Sequence, residues 1–169
     1  KKGSNDTEAG TSFINRREAA EVMKLLKSIA SSSAFLSKAP TALKLKDGEA
    51  LIGVICTYAQ QAELVENMIV VSDLPSDFRS LVKVDTVDAY QGKENRIVIL
   101  SLVRNNSEDE MGHVKSRNRI NVAISRAMDR LVIIGAATMF EKGNESLGPI
   151  VSYLKANDRI VPIATLGGA

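Results

Sequence analysis

Gln91, Gly92 and Glu94 place a carboxamide, a bare backbone amide and a carboxylate in one short loop. Such groups suit ribose hydroxyls and phosphate oxygens, because glycine lets the backbone approach a ligand closely. The same residues also make an ordinary tight turn with a solvated glutamate. Farther on, a helix is expected over Asn118 to Ala127, and the segment from Asn118 carries Arg119, Arg126 and Arg130. Residues seven apart nearly coincide on a helix, so Arg119 and Arg126 share a face opposite Ile120 and Ile124. A planar guanidinium held there can neutralise a transferring phosphoryl group. An exposed basic stripe has the same spacing. Thr57-Tyr58-Ala59-Gln60-Gln61 offers hydroxyls and amides for phosphates or base edges, or simply a helix start capped by Thr57. His113 is the only histidine and has no companion acid or cysteine, so it reads as a loop residue. Asp85 and Asp88 are not completed into a metal site, and no metal ligands are assigned. No Ser-His-Asp or Cys-His arrangement is present.

These groups need a scaffold, and the hydrophobic pattern supplies one. Leu51-Ile52-Gly53-Val54-Ile55-Cys56, Ile97 to Val103 and Leu131 to Gly135 are short apolar runs, the pattern of strands covered on both faces. Leu81 to Thr86 alternates as a strand and leads directly into the Gln91-Gly92-x-Glu94 loop. Amphipathic segments lie between them. One starts at Asn15, with Glu18 as its capping-box partner and Ala19, Val22, Leu26 and Ile29 inward. It ends at Ser31-Ser32-Ser33. A second turns Ala62, Val65 and Ile69 inward. A short helix over Pro149 to Lys155 and a last strand over Ile160 to Ala164 complete the pattern. Residues 31–50, with Pro40 and Asp47-Gly48, read as a long connection, and residues 104–117 as a polar loop. Apolar strands alternating with helices predict an α/β fold, a mostly parallel sheet flanked by helices in three layers. Ligands of such sheets bind beyond the carboxyl ends of the strands, so the loop after Thr86 and the Thr57 region are placed together there.

The chain has 169 residues, 44% hydrophobic and 25% charged, and suits one domain. Residues 1–12 read as a flexible polar segment, 13–166 as the domain and 167–169 as a tail. No strand is evident before Gly10. Net charge is +2, so a nucleic-acid site must be a local patch. Cys56 stands alone, which excludes a disulfide framework and points to a reducing, cytoplasmic setting, or the nucleus in a eukaryote. No apolar run approaches membrane-span length. A start at Lys1-Lys2-Gly3 without Met reads as a piece of a longer chain.

Several stretches together resemble one family. Thr86-Val87-Asp88-Ala89-Tyr90-Gln91-Gly92-Lys93-Glu94 is similar to motif V of superfamily 1 helicases, and Asn121-Val122-Ala123-Ile124-Ser125-Arg126-Ala127 to their motif VI. Ile52 to Tyr58 with Gln61 resembles motif IV, and Gly10 to Asn15 with Glu18-Ala19 the segment before it. Order and spacing over residues 10–136 match the branch of the nonsense-mediated-decay RNA helicases. Where that branch has Thr-Pro-Tyr, this chain has Cys56-Thr57-Tyr58.

The resemblance implies a second, C-terminal RecA-like domain of the P-loop NTPase type. ATP would bind in the cleft between it and a first, N-terminal RecA-like domain of the same parent chain. Arg126 would be the arginine finger, and Gly92 and Glu94 would contact the nucleotide. Gln91 would couple nucleotide to track. Thr57, Tyr58, Thr86 and Arg119 would face a single strand of DNA or RNA. No Gly-x-x-x-x-Gly-Lys-Ser/Thr loop or Walker-B acidic pair occurs here. The first domain would therefore hold Mg²⁺ and the phosphates, and this piece alone is expected neither to hydrolyse ATP nor to unwind anything. The competing reading is a degenerate RecA-like module that binds nucleic acid or protein without ATPase activity.

Overall fold

The computed structural model describes residues 6–9, 12–32 and 49–163. Strands β3 (Ile52–Cys56), β4 (Val82–Thr86), β5 (Asn95–Ser101) and β6 (Ala127–Ile134) form a four-stranded sheet in the order β4-β3-β5-β6. Every pairing in it is parallel. A separate antiparallel pair joins β1 (Thr7–Ala9) to β2 (Ser12–Ile14). The helices are α1 (Arg16–Ala30), α2 (Ala59–Val70), α3 (Ser76–Ser80), α4 (Arg117–Ile124), α5 (Ala137–Gly143) and α6 (Leu147–Ala156), with one 3-10 turn at Gly112–Lys115.

The central strands are apolar throughout because each face of the sheet has its own core. Ile52, Val54, Cys56 and Ile99 point to one side, where Ala19, Val22 and Leu26 of α1 and Val65 and Ile69 of α2 meet them. Ile55, Val98 and Leu100 point to the other, against Tyr90, Ile120, Ala123 and Phe140. This is the three-layer α/β, RecA-like arrangement that the alternation of strands and helices predicts. No helix among the described residues is long and apolar enough to cross a membrane.

Gly53 shows how closely the second layer sits. A Cβ at this position would lie 2.6 Å from the Tyr90 hydroxyl and 2.8 Å from Asn95 Oδ1. Tyr90 is fully buried, and its hydroxyl donates to Asn95 Oδ1 over 2.8 Å. Burial and the neighbouring Asp85 carboxylate both push its phenol above the ordinary range. The ring therefore stays a neutral donor that pins the loop after β4 onto the sheet. Gly53→Val will overpack this contact and lower stability by about 1–3 kcal/mol in urea unfolding. Wild-type stability in that variant would show that Tyr90 is free to move aside.

Some boundaries differ from the sequence reading. Within the polar N-terminal segment, Thr7–Ala9 pairs with Ser12–Ile14. β5 starts earlier and ends at Ser101, and Val103 takes a left-handed φ of 68°. Helix α5 fills a stretch with no assigned element, and a 3-10 turn sits in the polar loop of residues 104–117. Residues 160–162 form no strand, since Pro162 lacks an amide and Val161 is 57% exposed. Ser33, Pro40, Asp47, Gly48, Gly10, Thr11, Ala164 and the 167–169 tail lie outside the described residues.

Candidate nucleotide and nucleic-acid surfaces

The loop between β4 and β5 leaves the carboxyl end of one strand and re-enters at the amino end of the next. Its first turn is closed by Tyr90 N–H donating to Thr86 O at 3.0 Å, and its last by Lys93 N–H donating to Tyr90 O at 3.1 Å. Val87 and Tyr90 are buried, which carries the loop across the sheet rather than out into solvent. Gly92 has φ +80° with open space where a Cβ would be, so the glycine serves the backbone turn and not close packing. Gln91, Gly92 and Glu94 emerge exposed just before β5. Asn95 then pairs with Ala127, and its side-chain amide donates to Ala50 O beside the start of β3.

This path corrects the expected location of the loop. Gln91–Glu94 lies at the amino edge of the sheet, not beyond the carboxyl ends, because a parallel sheet requires the chain to return before the next strand. Only Thr86, Val87 and Asp88 remain near the carboxyl edge. The loop spans both edges.

Arg126 is likewise displaced from its expected setting. Helix α4 stops at Ile124, where the Ser125 N–H donates to Asn121 O, and Arg126 occupies the turn into β6. Ala127 is the first residue of β6 rather than the last of the helix, because it pairs with Asn95 and continues along β5. Arg130 is a strand residue opposite Ile97. No common helix face therefore unites these arginines. The turn instead aims Arg126 at the loop. Its Nε donates to Val122 O at 3.0 Å, Nη1 to Lys93 O at 3.3 Å and Nη2 to Ser125 Oγ at 2.9 Å. The Arg126 carbonyl accepts from Asn95 N–H at 3.0 Å. A guanidinium carries five N–H donors, so these three bonds anchor it and two donors are left for an anion.

The residues at the carboxyl edge are arranged differently. Thr57 is buried, and its Oγ1 donates to Leu102 O at 2.9 Å. Tyr58 is 4% exposed, and its hydroxyl accepts from the His113 N–H at 3.0 Å. Both hydroxyls are thus committed within the chain, and neither is presented to solvent. Thr57 does not cap α2, whose N-cap is Tyr58. Thr86 is half-buried, with Oγ1 accepting from Ala89 N–H at 3.3 Å. Arg119 makes a two-pronged pair with Asp88, Nε to Oδ1 at 3.2 Å and Nη2 to Oδ2 at 2.9 Å. Asp88 is therefore a partner of Arg119, not half of an aspartate pair with Asp85.

Behind this edge lies a buried polar network that periodicity does not reveal. Asn15 caps α1 by accepting from Glu18 N–H at 3.1 Å. The reciprocal half of the box is absent, because Asn15 N–H donates instead to Gln61 Oε1 at 2.8 Å. Glu18 accepts from Ser101 Oγ at 2.8 Å, Val103 N–H at 2.9 Å and Asn15 Nδ2 at 3.3 Å. Burial raises its carboxyl to about 7, against the lowering effect of the Val103 and Ser101 hydrogen bonds. Gln61 donates to Ser101 Oγ at 3.2 Å. The polar Gln61 within an apolar helix face was the available sequence signal.

A family model described as an AAA domain matches residues 1–138. The Schizosaccharomyces pombe protein named helicase required for RNAi-mediated heterochromatin assembly 1 is 42% identical over 103 residues, 61% of this chain and 10% of that protein. Regulator of nonsense transcripts 1 of Caenorhabditis elegans is 34% identical over 160 residues, 94% of this chain and 14% of that protein. The Mus musculus DNA replication ATP-dependent helicase/nuclease DNA2 is 31% identical over 113 residues, 66% of this chain and 10% of that protein. The chain spans about a tenth of the length of the curated relatives it matches.

Proposed function

The chain belongs to the AAA domain family, and from that footing we propose that it is the second RecA-like motor domain of an ATP-dependent superfamily 1 helicase. The observation that carries this reading is the 3.3 Å bond from Arg126 Nη1 to the carbonyl of Lys93. It joins the Gln91-Gly92-x-Glu94 loop and the arginine, distant in sequence, into one surface at the amino edge. That surface fits one wall of an ATP site. Glu94 and Gln91 supply acceptors for ribose hydroxyls, Gly92 a backbone amide, and Arg126 its remaining donors for phosphate oxygens. The bound nucleotide would bring the phosphoryl group to be transferred; a first RecA-like domain would supply the P-loop and the Mg²⁺ ligands.

The opposite edge is the strand-facing side. Thr86 and Arg119 present groups there, whereas Thr57 and Tyr58 shape the edge from beneath it. The loop from Thr86 to Glu94 touches both edges, so a strand held at one shifts the nucleotide wall at the other. Gln91 lies on that path.

The test uses the full-length protein and a single-stranded oligonucleotide. ATP turnover stimulated by the strand is expected, with Glu94→Ala raising KM for ATP about tenfold through one lost charged hydrogen bond. Strand affinity should hardly change in that variant. A protein that binds the strand and turns over no ATP would instead be the degenerate binding module.

A further inference from the structure

His113 is exposed, yet its ring is held in one plane. It stacks on Tyr58 with ring centroids 4.5 Å apart and planes 6° from parallel. Tyr58 meets Phe13 edge-on at 5.4 Å, and the Arg104 guanidinium lies over Phe13 at 3.9 Å. The base of this column is rigid. Tyr58 is buried, and Arg104 is 3% exposed with its Nε 3.1 Å from Asp6 Oδ2. Two further bonds fix the top, His113 N–H to the Tyr58 hydroxyl at 3.0 Å and His113 Nδ1 with Thr57 O at 3.3 Å. The second is made when Nδ1 carries the proton.

One face of the imidazole is thus covered by Tyr58, and the face turned away from it has no ring upon it among the described residues. The stack leaves a flat, pre-oriented ring at the surface, onto which another flat group can be added. Lys115 and Arg117 are exposed in the next turn of chain, and Arg119 lies beyond them. Cations beside an aromatic platform form the pattern that holds a single strand, with charge for the backbone and a π-face for a base.

We propose that the outer face of His113 is a base-stacking platform for single-stranded nucleic acid at the carboxyl edge of the sheet. The proposal rests on the strand-binding reading above and adds to it a residue, a contact and a mode. Because the contact is to a base face and not to the backbone, it tolerates any sequence and requires that a base be present.

The experiment compares binding of the full-length protein to an oligo-dT or an oligo-rU, whichever it holds more tightly, with binding to the same length of abasic strand, by fluorescence anisotropy. His113→Ala should weaken the base-bearing strand about tenfold and leave the abasic strand unchanged. His113→Trp, which enlarges the platform and keeps the column, should hold the base-bearing strand at least as tightly as His113 does. Equal losses on both strands in His113→Ala, or no loss on either, would overturn the stacking role. So would a weakening of the base-bearing strand by His113→Trp. If the unmodified protein binds neither oligo-dT nor oligo-rU, the strand-binding reading falls and this proposal falls with it.

Discussion

Arg126→Ala in the full-length protein is expected to lower kcat for ATP by about 10³–10⁵, the range for loss of an arginine finger. KM for ATP should change far less, because an arginine finger acts on charge that develops during transfer and not on the resting nucleotide. The size of the effect follows from how the guanidinium is held. Val122 O, Lys93 O and Ser125 Oγ each hold one of its three nitrogens. Its orientation is therefore settled before any phosphate arrives, and preorganised charge is what catalysis rewards most. Arg126→Lys should recover little of the loss. An ammonium cannot hold Lys93 O and a phosphate oxygen together in a fork. Rapid-quench turnover separates this outcome from a binding defect, and a kcat within threefold of the unmodified protein would remove Arg126 from the chemistry.

The second large effect concerns stability and comes from Glu18. Its carboxyl is raised from 4.5 to about 7 by burial. An acid with a raised folded-state pKa keeps its proton longer when folded. Below about pH 4.5 both states are protonated and the group is neutral in the balance. Between about 4.5 and 7 the unfolded chain has lost the proton and the folded chain retains it, so stability falls as pH rises. Above about 7 the loss is complete, of the order of 3 kcal/mol. Ser101 Oγ can serve both forms, donating to the carboxylate or accepting from the acid. Urea midpoints of the chain across pH 5 to 8 should decline, and Glu18→Gln should flatten that part of the profile. Glu18→Ala should cost about 3–5 kcal/mol near pH 5, since Val103 N–H, Ser101 Oγ and Asn15 Nδ2 lose a buried acceptor, and markedly less above pH 7, where the unmodified chain carries the buried charge. An unchanged pH slope in Glu18→Gln would show that another group titrates.

Neighbouring positions show where sequence reading succeeds. Ile52–Cys56 is legible as a strand because burial on both faces demands an unbroken apolar run. The start of β6 is not. Ala127-Met128-Asp129-Arg130 is a largely exposed stretch at the sheet's edge, where Met128 is 54% exposed and Asp129 pairs across to Arg96 at 3.5 Å. With only Ala127 turned to a core, the start of the strand leaves no periodic signature, and the helix pattern of α4 reads on through it. Thr57 and Tyr58 are polar types that read as a surface, yet their hydroxyls find partners at Leu102 and His113, far along the chain.

Residue types and spacing by themselves determined the alternation of strands and helices, and they singled out the Gln91–Glu94 loop and Arg126. Those signals are local, written in propensity, periodicity and motif. Which edge of the sheet each group occupies was decided by tertiary structure alone. Parallel pairing forces the loop after Thr86 back to the amino ends, where Lys93 meets Arg126, and leaves Arg119 and His113 at the carboxyl ends. That separation follows from the direction and order of the strands in the sheet, which no local pattern encodes.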